Sequence, residues 1–495
     1  DFMDSVPARL REKAQESEEF MMYSQFLCKI DESIFQCLYS PTESRPNAPV
    51  NVLVTALMLQ HRRGWTTNEL IENMNWNLLT KVALGLRSLD EVPFCHATYY
   101  NFKVRLGAHA AKTGTNLLEV VLDAFTKDQI EALELKTDIQ RTDSFQAISN
   151  IRTYSRVELL IEVLIRLHRA LSDTDKERFA SLFTPYVDQP ARAFVYELAE
   201  NEVDTAIAQL ATTYHAIHEA LAPCYADVEA FRVFSRVFVE HFAVVEDVIR
   251  VRANNEMGSD TIQSPDDLDA TYRKKNGQQF QGQVVNIVET ANPENPIQLV
   301  IDVAVAPNNR DDSDIYHERI DRIMEKTPDL KEVHGDGAFP CAETDKVFDG
   351  LGVLMVATAI RGYAAAGIPI GIEKTGEDAY LVSCPMQSVA AGRTEQNRRK
   401  AEFDLAICAG CEHRGACKLR ELKTARVYYF TEADYLRKQR QKSYERIPPE
   451  RRTLRANVEA TVAEFKNKTR NGKLRVRGAF RTAIFAYARA MSINF

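Results

Sequence analysis

The sequence predicts a mixed α/β protein whose sheet is interrupted by a long helical insertion, and three observations support this. The first is the stretch LKTDIQRTDSFQAIS, in which apolar and polar residues alternate loosely, as in a strand. The second is a run of about 100 residues with nearly continuous helical periodicity, from Thr153 to Arg252. The third is a return to strand-like runs, FQGQVVNIVETA and IQLVIDVAVAP, joined by the turn NPENP.

The residues before the first strand predict an all-α domain over residues 1–125. Its apolar positions fit a helical period on both sides of the Pro-rich break SPTESRPNAPV. After the break, Thr66 and Glu69 form a helix-start pattern. Short helices with compact turns are compatible with a helix-turn-helix DNA-binding module, although such bundles are more often purely structural.

The remaining chain divides into a core and its insertion. Residues 126–150 hold the first part of the core, residues 151–265 form the helical insertion, and residues 266–495 form the rest. After the two β-rich runs we expect a helix, the strand KEVHGDGAF, a second helix and the buried strand GVLMVATAI. This order fits a ribonuclease H-like mixed sheet.

Composition is that of an ordinary globular protein. The 495 residues are 45% hydrophobic and 27% charged, and no run of 18 apolar residues occurs. The first residues lack the apolar stretch and cleavage site of a signal peptide. We therefore expect a cytoplasmic protein, and not a membrane-spanning or secreted one.

Charge is unevenly distributed along the chain. Residues 391–495 carry 25 Lys and Arg against 11 Asp and Glu, a net charge of +14, which leaves −22 on the preceding residues. Clustered basic residues neutralise phosphates whatever the overall charge, so this pattern favours a polyanionic partner. A solvated basic surface is the alternative.

Three carboxylates occur on three different predicted elements. Asp143 lies on the first strand, Asp336 follows a later strand in the sequence HGDGAF, and Glu459 lies near the C-terminus. Hydrolysis of a phosphodiester without a covalent intermediate uses two divalent ions about 4 Å apart. Because Mg²⁺ and Mn²⁺ prefer carboxylate oxygens, converging acids from separate elements predict such a site.

Other interpretations of these acids stay open. An Asp at a strand end is commonly a cap or a turn residue. Asp138, Asp302 and Asp345 compete with the chosen three. Gly335 and Gly337 favour Asp336, because glycines let backbone and ligand approach a carboxylate closely.

Residues 451–468, RRTLRANVEATVAEFKNK, predict an amphipathic helix. Arg455, Glu459 and Lys466 share one face, and Val458 and Phe465 lie on another. Many structural helices carry such stripes, so the pattern alone does not identify a catalytic helix.

Four of the nine cysteines lie close together in the sequence: Cys384, Cys408, Cys411 and Cys417. The C-x2-C-x5-C spacing with one upstream thiol is typical of a tetrahedral Zn²⁺ site. An iron–sulfur cluster is the alternative, and His413 is a possible replacement ligand. We expect the five scattered cysteines to lie in the core.

Several of these motifs resemble those of the DDE transposases of bacterial insertion sequences. The family signature Tyr-x2-Arg-x3-Glu-x6-Lys is matched by Arg455, Glu459 and Lys466, while Arg452 stands at the tyrosine position. RTDS, HGDGAF, NVLVTALMLQHRRGWTTNELIE and the closing RVRGAFRTAIFAYARAMSINF are also similar. The helical insertion is the part least covered by the resemblance.

The resemblance implies a function and its partners. The enzyme would cut the ends of a mobile element and join them to target DNA, with Asp143, Asp336 and Glu459 binding Mg²⁺ or Mn²⁺. Arg455 and Lys466 would contact phosphates of the element end, and Arg452 is a further candidate. Cysteines similar to the four above occur in relatives and favour Zn²⁺.

The implied partners are the terminal inverted repeats and the target, both double-stranded DNA, in a homodimer or larger synaptic complex associated with the bacterial nucleoid. Two alternatives remain, a transposase-derived DNA-binding protein that does not cleave, and an iron–sulfur nuclease.

Overall fold

The computed structural model describes residues 1–40, 47–246, 248–337, 339–357, 370–394, 398–469 and 472–495, except for the side chains of residues 443, 446 and 452. The N-terminal part is helical, as the sequence predicted. Its α-helices are α1 (Ala8–Gln15), α2 (Glu18–Met21), α3 (Val50–Arg63), α4 (Thr67–Trp76), α5 (Leu78–Ala83), α6 (His96–Thr113) and α7 (Leu117–Ala132). Between α2 and α3 lie a π-helical turn, Met22–Phe26, and the 3-10 turns Leu27–Lys29 and Glu32–Leu38.

Local sequence signals explain the helix ends here. The Thr66 hydroxyl accepts the Glu69 N–H, and the Glu69 carboxylate accepts the Thr66 N–H, which forms the predicted capping box at the start of α4. Gly64 ends α3 in the left-handed conformation, with φ of 71°, which favours glycine. The turn between α3 and α4 is therefore encoded locally.

A helical unit follows the first strand, β1 (Ile139–Ile148). It consists of α8 (Arg156–Ala170), α9 (Asp173–Arg178), α10 (Ala180–Val187), α11 (Ala191–Glu197), α12 (Val203–Tyr225), α13 (Glu229–His241) and the hairpin β2 (Phe242–Val245) and β3 (Val248–Val251). Its buried apolar residues form a cluster of their own, with every member between Tyr154 and Ile262. The unit thus has a separate hydrophobic core.

The central sheet resumes after this unit. Its further elements are β4 (Thr271–Lys275), β5 (Gln278–Thr290), β6 (Val300–Pro307), α14 (Asp312–Lys326), β7 (Glu332–Gly335), α15 (Ala342–Leu351) and β8 (Leu354–Ala357). Strand β5 pairs antiparallel with β1, β4 and β6, whereas β7 pairs parallel with β1 and with β8. The protein is therefore a mixed α/β fold with a mixed sheet, as predicted. The order β6-β5-β1-β7-β8 is consistent with a ribonuclease H-like sheet.

Gly282 allows the close pairing of β1 and β5. Its φ is 151°, and a Cβ atom there would lie 2.2 Å from the Ala147 carbonyl oxygen. Any side chain at this position would therefore force the two central strands apart.

A second sheet, which the sequence analysis did not predict, follows the central sheet along the chain and precedes the terminal helices. It is antiparallel, in the order β13-β14-β12-β11-β10-β9. Its elements are β9 (Gly371–Lys374), β10 (Tyr380–Ser383), β11 (Ser388–Arg393), β12 (Arg399–Asp404), α16 (Leu405–Ala409), β13 (Arg420–Glu421) and β14 (Ala425–Phe430). Its strands are short, and β12 (RKAEFD) carries four charged residues, so the apolar pattern of this sheet is weak.

The chain ends with α17 (Glu432–Arg446), the 3-10 helix Arg451–Asn457, α18 (Val458–Lys466) and α19 (Ala479–Asn494). The predicted helix over 451–468 is thus a 3-10 helix followed by an α-helix. Val458 and Phe465 are fully buried, so the predicted apolar face packs into the core. This core also contains residues of the N-terminal helices and of β1, β5 and β6.

The scattered cysteines were predicted to be buried, and this was wrong. Cys28, Cys37, Cys95, Cys224 and Cys341 are all exposed. They occupy turns and helix surfaces, where a small weakly polar side chain is tolerated.

Candidate active site

Asp143 lies on β1, and Asp336 directly follows β7, the parallel neighbour of β1. The pairing of β1 with β7 runs from Ile139 opposite Glu332 to Arg141 opposite His334. Asp143 and Asp336 each lie two residues beyond that last pair. Because parallel neighbours are about 4.8 Å apart, this register sets Asp143 beside the carboxyl end of β7, which Asp336 follows.

Arg455 connects Asp143 with Glu459. One terminal guanidinium nitrogen of Arg455 donates to Asp143 Oδ2 at 2.8 Å, and the other donates to Glu459 Oε1 at 3.2 Å. Asp143 and Arg455 are largely buried, with 14% and 18% of their side chains exposed, whereas Glu459 is 69% exposed. The carboxylates of Asp143 and Glu459 are therefore bridged by the guanidinium of Arg455.

A buried ion pair holds this helical segment against the sheet. Arg141 pairs with Glu289 on the neighbouring strand and also donates to the Leu454 carbonyl at 3.1 Å. The Thr461 hydroxyl donates to the second oxygen of Glu289 at 2.7 Å. Burial raises the pKa of Glu289 above its ordinary value, and the Arg141 charge opposes that rise.

A second ionic contact joins the start of the segment to β7. Arg451 binds one oxygen of Glu332, and the buried His334 ring lies 2.6 Å from the other oxygen. Strand β1, which carries Asp143, and strand β7, which precedes Asp336, are thus both bound to the segment that carries Arg455 and Glu459.

Asp312, the first residue of α14, is a fourth acidic group near this edge. Burial raises its pKa, the charge of Asp336 raises it further, and a hydrogen bond from the Ser144 hydroxyl opposes the rise. Sequence reasoning missed Asp312 because it stands among three acids in DDSD at a helix start, where acidic residues are common.

The competing aspartates have structural partners. Asp302 is 2% exposed and ion-paired with Arg319. Asp345 is paired with Arg440, and Asp138 accepts a hydrogen bond from the amide of Asn292 at 2.7 Å. The absence of a side chain at Gly335 also has a structural explanation, since a Cβ atom there would lie 2.9 Å from the Met355 side chain.

The predicted phosphate-binding residues occupy different positions. Arg455 lies at the carboxylates, as described. Lys466 ends α18, where its ammonium lies 5.6 Å from the centre of the Phe145 ring, about 10 Å along the helix from Glu459. Arg452 lies on the 3-10 helix, and its side chain is outside the described part of the chain.

The four clustered cysteines line one small cavity of about 20 Å³ beside the second sheet, together with His413. Cys384 follows β10, Cys408 lies in α16, and the other two lie on the turns that follow. Burial raises the pKa of the Cys408 thiol, the nearby Arg426 charge lowers it, and the three other thiols raise it. The four cysteines that are close in the sequence therefore line the same cavity in the structure.

Neither cluster has the arrangement of an assembled metal site. Within the described ranges, no three His, Cys, Asp or Glu side chains are placed to hold one ion together.

No described helix is long and apolar enough to cross a bilayer.

Comparison with known proteins yields two family matches. Residues 383–495 match the family described as Transposase DDE domain, and residues 12–105 match Transposase domain (DUF772). Both matched families are transposase families. No curated protein and no solved structure matches the chain.

Only the C-terminal transposase match contains residues of the candidate site. That match contains the four clustered cysteines, Arg455 and Glu459, while Asp143 and Asp336 lie outside both matches. Together the matches support an insertion-sequence transposase, and a DDE domain implies an enzyme of the nuclease and transposase type that acts on DNA.

Proposed function

We propose that the protein is a DNA transposase that cleaves the ends of its mobile element and joins them to target DNA, with Asp143, Asp336 and Glu459 as the metal-binding triad. The observation that carries this proposal is the parallel pairing of β1, which carries Asp143, with β7, which Asp336 follows, together with the Arg455 link between Asp143 and Glu459. The two transposase matches support it.

The donor chemistry of the three acids suits a hard divalent cation, although their present arrangement is not that of an assembled site. When bound, Mg²⁺ or Mn²⁺ would supply Lewis acidity for attack by water or a 3′-hydroxyl and for departure of the leaving oxygen. Asp143, Asp336 and Glu459 would hold the ions, and Asp312 would add negative charge beside Asp336.

Arg455 gives the site a means of responding to DNA. Its guanidinium now binds Asp143 and Glu459, and a backbone phosphate is an equally suitable bidentate partner. A phosphate that takes up Arg455 would release both carboxylates. DNA binding and completion of the acidic site are therefore coupled in this proposal.

The test is excision of the element from a plasmid that carries the inverted repeats flanking its gene. Asp143→Asn, Asp336→Asn and Glu459→Gln should each abolish Mg²⁺-dependent cleavage of the ends while leaving binding of the ends intact. Asp314→Asn, an exposed carboxylate on α14, is the matched control and should cleave normally. Cleavage retained by all three variants would rule out this triad.

One observation favours a second function. With Asp143 and Glu459 both engaged by Arg455, the chain could bind element ends without cleaving them, as a transposase-derived DNA-binding protein. Specific binding of the repeats by the unaltered protein, with no Mg²⁺-dependent or Mn²⁺-dependent cleavage, would support this alternative.

We also propose that the four clustered cysteines hold one structural Zn²⁺. A cavity of about 20 Å³ surrounded by four thiols has room for a single ion, and four cysteine sulfurs are a donor set that suits tetrahedral Zn²⁺. Metal analysis should find one zinc per chain, lost in Cys408→Ser but kept in the matched control Cys224→Ser. A brown protein absorbing near 400 nm would instead indicate an iron–sulfur cluster and an iron–sulfur nuclease.

The active assembly is proposed to be a homodimer or a larger synaptic complex, because two element ends must be held together during joining. Light scattering with and without DNA ends tests this. A particle that remains one chain on one DNA end at every stage of the reaction would contradict it.

A further inference from the structure

A large cavity lies between the N-terminal helices and the C-terminal segment. Its volume is about 740 Å³, and it is lined by parts of α3 and α6, by the residues after α18, and by the first turns of α19. Its lining includes the aromatic side chains of Trp65, Tyr100, Phe480 and Phe485, and Tyr100 is 48% exposed. This cavity is separate from the carboxylates described above.

Three cations of the cavity lack acidic partners. Lys103, Lys468 and Arg481 line it, and within the described part of the chain none of them forms an ion pair. Lys103 instead lies 4.2 Å from the centre of the Tyr99 ring. Cations without partners at one concave surface attract an anionic ligand.

The acidic residues of the cavity are already bound within the protein. Asp266 pairs with arginines on both sides, at 3.0 and 3.2 Å. Asp267 accepts the Gly478 N–H at 2.8 Å, and Asp269 accepts the Ala479 N–H at 3.0 Å, both at the start of α19. These carboxylates are therefore not the partners of the three cations.

Two titrating groups respond to the resulting positive field. Burial lowers the pKa of His61, which lines the cavity, to about 3, and the charges of Lys103 and Arg489 add to that shift. Burial also lowers the pKa of Lys103 to about 8, and the charge of Arg481 contributes. An anion in the cavity would relieve this repulsion.

We propose that this cavity binds an unpaired strand of DNA, with its phosphates at Lys103 and Arg481 and a base stacked on Tyr100. The inference rests on the proposed function for the identity of the polyanion. Sites for single strands combine a cationic groove with exposed aromatic faces, which is the combination found here. A duplex presents its bases edge-on and paired, so it cannot use the aromatic wall.

The position of the cavity relative to the carboxylates supports this occupant. Asn467, the residue directly after α18, lines the cavity, and Glu459 lies in the first turn of α18. Eight residues of α-helix span about 12 Å. A strand freed at the candidate active site therefore has a short path along α18 into the cavity.

The test is binding of the full chain to a labelled single-stranded oligonucleotide of mixed sequence, and to the matching duplex, by fluorescence anisotropy at several salt concentrations. Lys103→Gln combined with Arg481→Gln should weaken single-strand binding on the order of tenfold and lower the salt slope by about 1.4, or about 0.7 per phosphate. Tyr100→Ala should weaken single-strand binding on the order of tenfold with no change in the salt slope.

Lys112→Gln is the matched control, since Lys112 is an exposed cation on the same helix but outside the cavity. It should bind as the unaltered protein does, and thermal melting of every variant should show that each folds. Unchanged single-strand binding in the double variant would overturn the proposal, as would an equal weakening for single strand and duplex. Because no cleavage is measured, this outcome is independent of the triad variants, which test the proposed transposase activity.

Discussion

Arg455 is the residue that joins two carboxylates of the candidate active site. A single guanidinium binds Asp143 and Glu459, the first and last members of the proposed triad. Its planar fork allows two hydrogen bonds at once, which a lysine ammonium at the same place cannot reproduce in that geometry. The spacing of four residues between Arg455 and Glu459 was visible in the sequence, but the contact with Asp143 was not.

We therefore predict that Arg455→Lys lowers cleavage of element ends by about tenfold or more, as expected for loss of a charged hydrogen bond worth about 1.5–3 kcal/mol. The measurement is the rate of Mg²⁺-dependent end cleavage at saturating protein. Arg437→Lys, at an exposed arginine on α17, is the control and should cleave at the normal rate. An unchanged rate in Arg455→Lys would remove Arg455 from the site.

Lys103 gives a second prediction at the level of the residue. Its pKa, lowered to about 8, means that the ammonium loses its proton as pH rises from 7 to 9. Only the protonated form attracts phosphate, so single-strand affinity should fall over this range. Arg481 stays charged and His61, with a pKa of about 3, stays neutral, so neither contributes to the change.

The same anisotropy titrations at pH 7, 8 and 9 provide the check. In Lys103→Gln the affinity should be lower and nearly independent of pH. An equally steep fall in that variant would assign the pH dependence to another group.

Elements of the site are held together by a buried ion pair rather than by surface contacts. Arg141 on β1 and Glu289 on β5 are 7% and 2% exposed, and between them they bind the Leu454 carbonyl and the Thr461 hydroxyl. Two strands and the segment that carries Glu459 therefore share one polar cluster. Removing only one partner of such a pair strongly destabilises the fold, because the other charge stays buried without compensation.

Arg141→Ala should accordingly destabilise the fold by about 3–5 kcal/mol. Urea unfolding followed by circular dichroism measures this change. The double variant Arg141→Met with Glu289→Leu removes both charges and should recover most of the loss. If the single variant is as stable as the unaltered protein, the pair does not hold the segment in place.

At the scale of the whole molecule, the helical unit after β1 has a hydrophobic core of its own. Its apolar cluster contains residues between Tyr154 and Ile262 and none from the central sheet. The central sheet instead shares its core with the N-terminal helices and with α18 and α19. The chain thus leaves the sheet, completes an independent core and returns.

We predict that residues 152–265 fold when expressed alone, since a unit with its own core can in principle do so. The isolated unit should show a helical circular dichroism spectrum and a cooperative thermal transition. Leu160→Asp, at a position that is 0% exposed, should abolish that transition. A non-cooperative, largely disordered product would mean that the unit depends on contacts with the sheet.

Local patterns determined much of this protein from the sequence alone. Helix and strand periods predicted the N-terminal helices, the long helical insertion and the order of the central strands, because burial imposes those periods directly. The capping box at Thr66 was predicted as well. The second sheet was not, because its short strands carry charged residues that hide the alternation expected of a half-buried sheet.

Tertiary structure decided which polar residues meet. Five aspartates competed in the sequence, and only strand register showed that Asp143 lies on the parallel neighbour of the strand that Asp336 follows. Asp302 pairs with Arg319 on α14, and Asp345 pairs with Arg440 on α17. The cavity with its unpaired Lys103 joins segments from opposite ends of the chain. Sequence periodicity reports how a residue relates to its own helix or strand, whereas charge pairing depends on distances between elements, which only the folded chain defines.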